Sequence, residues 1–291
     1  MYESLIKMKK SILHILAGRE KKITEDESVL QSLPHKDFRF ANPFIVVHHD
    51  PGFAVKAGTA FRIHPHPHRG FAPVTIQLRG EGYHKDSAGH DEIIRAGDVQ
   101  WMFAGKGLLH SEGPSQNMLK TGGTSEFVQL WINVPKAFKW NEPSYQIARN
   151  VDLVPVAEQE GVSLGLASGT YENKTGPLKT FTPVTIIRGE ILKSRNVLLK
   201  AKAGYWTLLY VISGAIVVNG EKVSEHNLVV FEKENEEVNI NAEEDSRILF
   251  LSAEPIDEPV AAKDNFVMNT SEEIEQAMAD YKNGVFGVLD Y

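Results

Sequence analysis

Three histidines stand at alternate positions in Phe61-Arg-Ile-His-Pro-His-Pro-His-Arg-Gly-Phe71, at His64, His66 and His68. In an extended chain, residues two apart point to one side, about 6–7 Å apart. Two neighbours in such a row converge on one ion where the strand curves. Pro65 and Pro67 withhold two ladder donors, which places the tract at a sheet edge or in a loop. Neutral imidazole is the commonest protein metal ligand, and several in one short tract favour a metal over a solvated turn. A second pair, His110 and Glu112, has the same spacing and follows Gly105 and Gly107, which permit a tight turn. His-x-His and His-x-Glu strands that meet across a barrel interior give three imidazoles and one carboxylate. That donor set suits Fe(II), Mn(II), Ni(II), Cu(II) or Zn(II), with positions left open for a ligand.

Other chemistries are excluded by what the chain lacks. It has no cysteine, which removes disulfides, thiolate metal sites, iron–sulfur clusters and a cysteine nucleophile. No glycine-rich phosphate loop opening a helix is present. Thirty-one basic against 38 acidic residues give a net charge of −7, which argues against a nucleic-acid surface. No apolar run approaches the roughly 20 residues needed to span a bilayer. Lys7, Lys9 and Lys10 interrupt the apolar residues of the N-terminus, so no signal peptide is read there and a cytoplasmic monomer is expected.

The elements that must position the histidines read as strands. Phe44–Val47, Val74–Leu78, Glu92–Ile94, Asp98–Phe103 and Glu126–Val134 are rich in β-branched and aromatic residues between turn signals. Residues 184–187, 207–212, 215–218, 228–231, 238–240 and 248–251 repeat that texture. Thr75–Gly80 aligns with Leu209–Gly214 at an offset of 134, and Ala96–Met102 with Glu225–Phe231 at an offset of 129. The chain therefore reads as all-β, a duplicated barrel or sandwich. The 291 residues divide into an N-terminal domain (1–135) carrying the histidines, a proline-bearing linker (136–146) and a C-terminal domain (147–291). In the C-terminal domain, Lys200 and Lys202 stand in place of His66 and His68, and Asn239 and Asn241 in place of His110 and Glu112, so no metal is expected there. Asp86, His90 and Asp91 read as a solvated hairpin turn after Tyr83 and His84. Thr270 begins a helix as its N-cap, with Glu273 completing a capping box and Ile274, Ala277, Met278 and Tyr281 forming one apolar stripe.

His66-Pro-His-Arg-Gly-Phe71, Gly97-Asp-Val-Gln-Trp-Met102, Ala104-Gly-Lys-Gly107 and His110-Ser-Glu112 together resemble the pirin family of the cupin superfamily, as does Phe266-Val-Met-Asn-Thr270 with its acidic helix. The resemblance spans nearly the whole chain. It implies two cupin-type barrels facing each other with a C-terminal α-helix, the N-terminal barrel holding one divalent metal, Fe(II). It carries the ligand roles to His66, His68, His110 and Glu112, and leaves His64 as a spare rim group. Some pirins are quercetin 2,3-dioxygenases, which implies a flavonol-like substrate, dioxygen, and Glu112 as the catalytic base. Other pirins are iron-dependent regulators, which implies a protein partner instead. The chain departs from the family at Ala72, where a glutamate is usual; this removes a polar neighbour and leaves the ligand set intact.

Overall fold

The computed structural model describes residues 9–23, 28–60 and 62–290. Phe61 and residues 1–8 of the N-terminal stretch lie outside them. The chain forms two compact units, each assembled from two separate stretches. One comprises Phe44–Val151 and Ile256–Tyr291, the other Met1–Pro43 and Asp152–Pro255.

The first unit carries the histidine tract. One of its sheets runs in the order Ser144–Ala148, Val99–Phe103, Phe71–Arg79, Gly123–Asn133, Phe44–Val55. Phe44, Val74, Ile76, Val128 and Leu130 on these strands are fully buried, as expected of β-branched and aromatic runs that line a core. A four-stranded sheet has the order Ile63–His68, Leu108–Pro114, Glu81–Asp86, Asp91–Arg95. The histidine tract is thus an edge strand, the place its two prolines allow.

The terminal helix, Ser271–Lys282, belongs to this unit. Its capping box is formed: the Thr270 hydroxyl accepts from the Glu273 N–H, and the Glu273 carboxylate accepts from the Thr270 N–H. Only part of the expected stripe is covered. Ile274 and Ala277 are buried, whereas Met278 and Tyr281 are 36% and 43% exposed.

The second unit repeats the plan. Its larger sheet has the order Ile12–Ala17, Asn227–Phe231, Trp206–Ser213, Ser246–Ala253, Val184–Ile191, Val162–Ser168, Val154–Gln159. Its four-stranded sheet has the order Asn196–Lys200, Glu237–Ala242, Ala215–Val218, Glu221–Ser224. Val197, Leu199, Val238 and Ile240 of the smaller sheet join Ile187, Leu209 and Phe250 of the larger in one apolar core.

The boundaries expected at 135 and 147 do not describe these units. Ile12–Ala17 pairs with Asn227–Phe231, more than 200 residues on, so the first described strand completes the second unit. The C-terminal segment returns to the first unit, where Phe266 bridges to Arg69. Nor is 136–146 a free linker. Ser144–Ala148 pairs with Val99–Phe103, and Lys139 is fully buried with its ammonium donating to Gly70 O, Val267 O and Asn133 Oδ1. Local patterning marks where strands are but not which distant strand completes a sheet.

Candidate metal centre

His66 and His110 are direct cross-strand partners, and His68 lies opposite Leu108 in the same ladder. The three rings gather closely, with centroids 4.2 Å apart for His66 and His110, 4.8 Å for His68 and His110, and 5.0 Å for His66 and His68. Each offers a nitrogen within 4.8 Å of the others. The turn after the tract keeps it in register. Gly70 has φ +85°, and a Cβ there would meet Val267 O at 2.2 Å, so only glycine fits. Arg69 is buried, donating from Nε to Lys106 O at 2.6 Å and pairing with Asp280 of the terminal helix at 2.7 Å. The Arg-Gly of the motif is thus an anchor for the strand that carries the histidines.

Hydrogen bonding selects the tautomers. His66 Nδ1 lies 2.9 Å from His64 O and His68 Nδ1 3.2 Å from Asn265 O. A carbonyl only accepts, so each Nδ1 carries the proton and each Nε2 keeps its lone pair. His110 reaches the same state by a longer route. Its Nδ1 lies 3.5 Å from His84 Nδ1, and His84 Nε2 lies 2.9 Å from Asp86 Oδ2. The Asp86 carboxylate accepts a hydrogen bond from His84 Nε2–H, which leaves His84 Nδ1 to accept from His110. His110 Nε2 is then buried without a partner among the described residues. Desolvation, reinforced by the neighbouring imidazoles, holds His68 and His110 well below the ordinary histidine pKa. Neutral, inward-facing imidazoles with an orphaned lone pair fit a divalent metal.

Asp86 is the hub behind His110. It accepts from His84, from His90 Nδ1 at 2.9 Å, and from the backbone N–H groups of Ala88 and His90. Burial pushes its carboxyl up, but these donors prevail and its pKa is lowered. Tyr145 stacks on both His84 and His90, at 4.8 and 5.3 Å between centroids. The expected solvated turn holds for Asp91, which is exposed, but not for Asp86, which is 3% exposed, while His90 is half-buried and His84 before them is fully buried. The signal was present. Gly82, His84 and Asp86 alternate along Glu81–Asp86, and that face turns inward.

Glu112 stands apart from the three imidazoles and is not among the groups within 4.8 Å. The ladder shifts register between His110 and Glu112, so Glu112 faces Ile63. Its carboxylate accepts from Gln129 Nε2 at 3.1 and 3.3 Å, and Trp131 Nε1 in turn donates to Gln129 Oε1. Trp131 and Phe71 both pack against the His68 ring. His64 is exposed and touches the cluster through its carbonyl.

The second unit places other residues on the matching ladder. Lys200 pairs with Glu237, where His66 pairs with His110. Asn239 lies opposite Leu198, so it does not face Lys200 as His110 faces His66.

A pirin family model matches residues 23–132, and a model described as the pirin C-terminal cupin domain matches residues 189–287. Pirin-1 of Arabidopsis thaliana is 35% identical over 283 residues, covering 95% of this chain and 94% of its own length. A crystal structure of quercetin 2,3-dioxygenase from Acinetobacter baumannii superposes with a TM-score of 0.90 and 33% identity, over 97% of this chain and 100% of that one. The bacterial pirin YhhW of Escherichia coli, solved in complex with nickel(II), shares the fold with a TM-score of 0.66 and 23% identity, over 84% and 99% of the two chains.

Proposed function

The chain belongs to the pirin family of the cupin superfamily, and from that premise we propose that it is a metal-dependent dioxygenase that opens the heterocycle of flavonols and releases carbon monoxide. One observation carries this reading: three imidazoles with their Nδ1 atoms engaged elsewhere converge, each offering a nitrogen within 4.8 Å of the others. The likeness to the Acinetobacter baumannii quercetin 2,3-dioxygenase across almost the whole chain supports it.

In this reading His66, His68, His110 and Glu112 hold one divalent ion per chain, Fe(II), to which an N3O donor set is suited. Bound there, the ion supplies Lewis acidity toward a flavonol 3-hydroxyl and electron transfer toward dioxygen. Glu112 takes the hydroxyl proton. Gln129 holds that carboxylate by both oxygens until a ligand or the ion replaces its hydrogen bonds. Trp131 and Phe71 give the flavonol an aromatic wall beside His68.

Aerobic turnover of a flavonol panel by purified Fe(II)-loaded protein, with carbon monoxide as the readout, tests the proposal. Carbon monoxide released above the rate of free iron is expected. A rate no higher than that of free iron overturns it and leaves the regulatory role of other pirins as the reading to pursue.

A further inference from the structure

The second unit contains a cavity of about 730 Å³, a size ordinary for small-molecule sites. Its chemistry is the reverse of the chain's overall charge of −7. Lys179, Lys200 and Lys202 line it, and no carboxylate is among the described lining residues. Glu237 faces Lys200 across the ladder but lies outside the lining. Lys202 places its ammonium 5.0 Å above the ring of Tyr205, which also lines the cavity. Phe181, 37% exposed, adds a second ring.

The inner wall is polar where a barrel interior is ordinarily apolar. Thr185, Ser252 and Thr207 are neighbours across three adjacent strands. Ser252 shares the face of Ile248 and Phe250, both in the apolar core, so its hydroxyl points inward. Ser252 lines the cavity, is 4% exposed, and its hydroxyl has no partner among the described residues. The Thr207 hydroxyl, fully buried beside it, has none either. Buried hydroxyls are hydrogen-bonded as a rule, so the Ser252 hydroxyl, which lines the cavity, is left for something that enters it.

We propose that this cavity binds a small aromatic carboxylate, with the carboxylate between Lys200 and Lys202, the ring against Tyr205 and Phe181, and a ring hydroxyl reaching Ser252. Ammonium groups supply charge-assisted hydrogen bonds to the carboxylate, and the aromatic side chains supply the apolar contact that a simple inorganic anion cannot use. The site is independent of the histidine cluster and of the activity proposed for it.

Isothermal titration of the full metal-loaded chain with 4-hydroxybenzoate tests this. Saturable one-site binding is expected, with the neutral 4-hydroxybenzamide weaker by about tenfold or more, as loss of a charge-assisted contact implies. Lys200→Ala/Lys202→Ala should weaken the benzoate by a similar factor. Ser252→Ala, which removes one hydroxyl donor, should weaken it about fivefold. His66→Ala/His68→Ala should leave it unchanged, which separates this site from carboxylate binding at the metal. Absence of saturable binding overturns the proposal. Equal affinity for acid and amide, wild-type affinity in the double-lysine variant, or loss of binding in the histidine variant also overturns it.

Discussion

The two four-stranded sheets carry nearly the same strand plan and use their inner faces differently. In the second unit, Val197, Leu199, Val238, Ile240, Ile216 and Val218 all enter the apolar core. In the first, the ladder row His66–His110–Asp86 crosses three strands, with His84 beside it. One sheet contributes hydrophobic stabilisation, at roughly 25 cal/mol for each Å² of apolar surface buried. The other gives up part of that for polar groups, which are tolerated in a core only when partnered. Asp86 is what makes the exchange possible: four donors satisfy it, and through His84 it orients His110. The histidine cluster is therefore not an added loop but a substitution of core positions, together with the buried partners those positions then require.

The comparison breaks most completely if the imidazoles are removed. His66→Ala/His110→Ala makes the first sheet as poor in ligands as the second. Metal content by elemental analysis should fall from about one ion per chain to near none, since sites of this kind need three or more protein ligands. Equal content in variant and wild type would place the metal elsewhere. Glu112→Gln is subtler. It keeps an oxygen but cannot accept a proton as a carboxylate does. Metal content should be largely kept while carbon monoxide release falls by about 10²–10⁴, the usual worth of a general base. Full activity in the loaded variant would assign the base to another group, with His64 the next to test.

A third change addresses the support behind the ligand. Asp86→Asn leaves an amide that can donate as well as accept, so it no longer dictates the His84 tautomer, and His110 loses its fixed orientation. Metal affinity, measured by chelator competition, should fall by about 10–100-fold, as for other partners of ligating histidines. An unchanged affinity would mean that packing alone, with Tyr145 stacked on His84, orients His110.

Much of this was legible in the sequence, and the exceptions share a cause. The strand cores were read from β-branched and aromatic runs between turn signals, the edge position of the tract from its prolines, and the helix start from Thr270 and Glu273. These are local signals. The pairing of Ile12–Ala17 with Asn227–Phe231 is not local, and no spacing within either segment encodes it. Asp86 and His90 were misread because polar residues near a turn are ordinarily solvated. Their burial depends on His110 and Tyr145, which arrive from other strands. The register shift before Glu112 is hidden for the same reason: period-two spacing describes an unbroken strand, and the shift appears only against the partner.

Among the described residues, each unit also buries one lysine against main-chain carbonyls, and the pair sharpens the comparison. Lys10 in the second unit donates to the carbonyls of Glu232, Lys233 and Glu234 at 3.2–3.4 Å. Lys139 in the first donates at 2.6 Å to Gly70 O, the turn that follows His68, and at 2.8 Å to Val267 O. Burial lowers both. For Lys10, the nearby charges of Glu234 and Glu236 pull back up. For Lys139, burial prevails over Glu258 and Glu273 and brings the pKa from the usual 10.5 down to about 7. Below that value both folded and unfolded chains carry the proton, and pH has no effect on stability through this group. Between it and 10.5 the unfolded chain holds a proton that the folded chain has lost, so stability rises with pH. Denaturant unfolding of wild type and Lys139→Met across this window should show wild type gaining on the variant by up to about 1.4 kcal/mol per pH unit. Lys10→Met should show a smaller gain, because its acidic neighbours favour the charged form. Parallel pH profiles for wild type and Lys139→Met would mean that the three acceptors keep Lys139 charged throughout, and that the two buried lysines are equivalent after all.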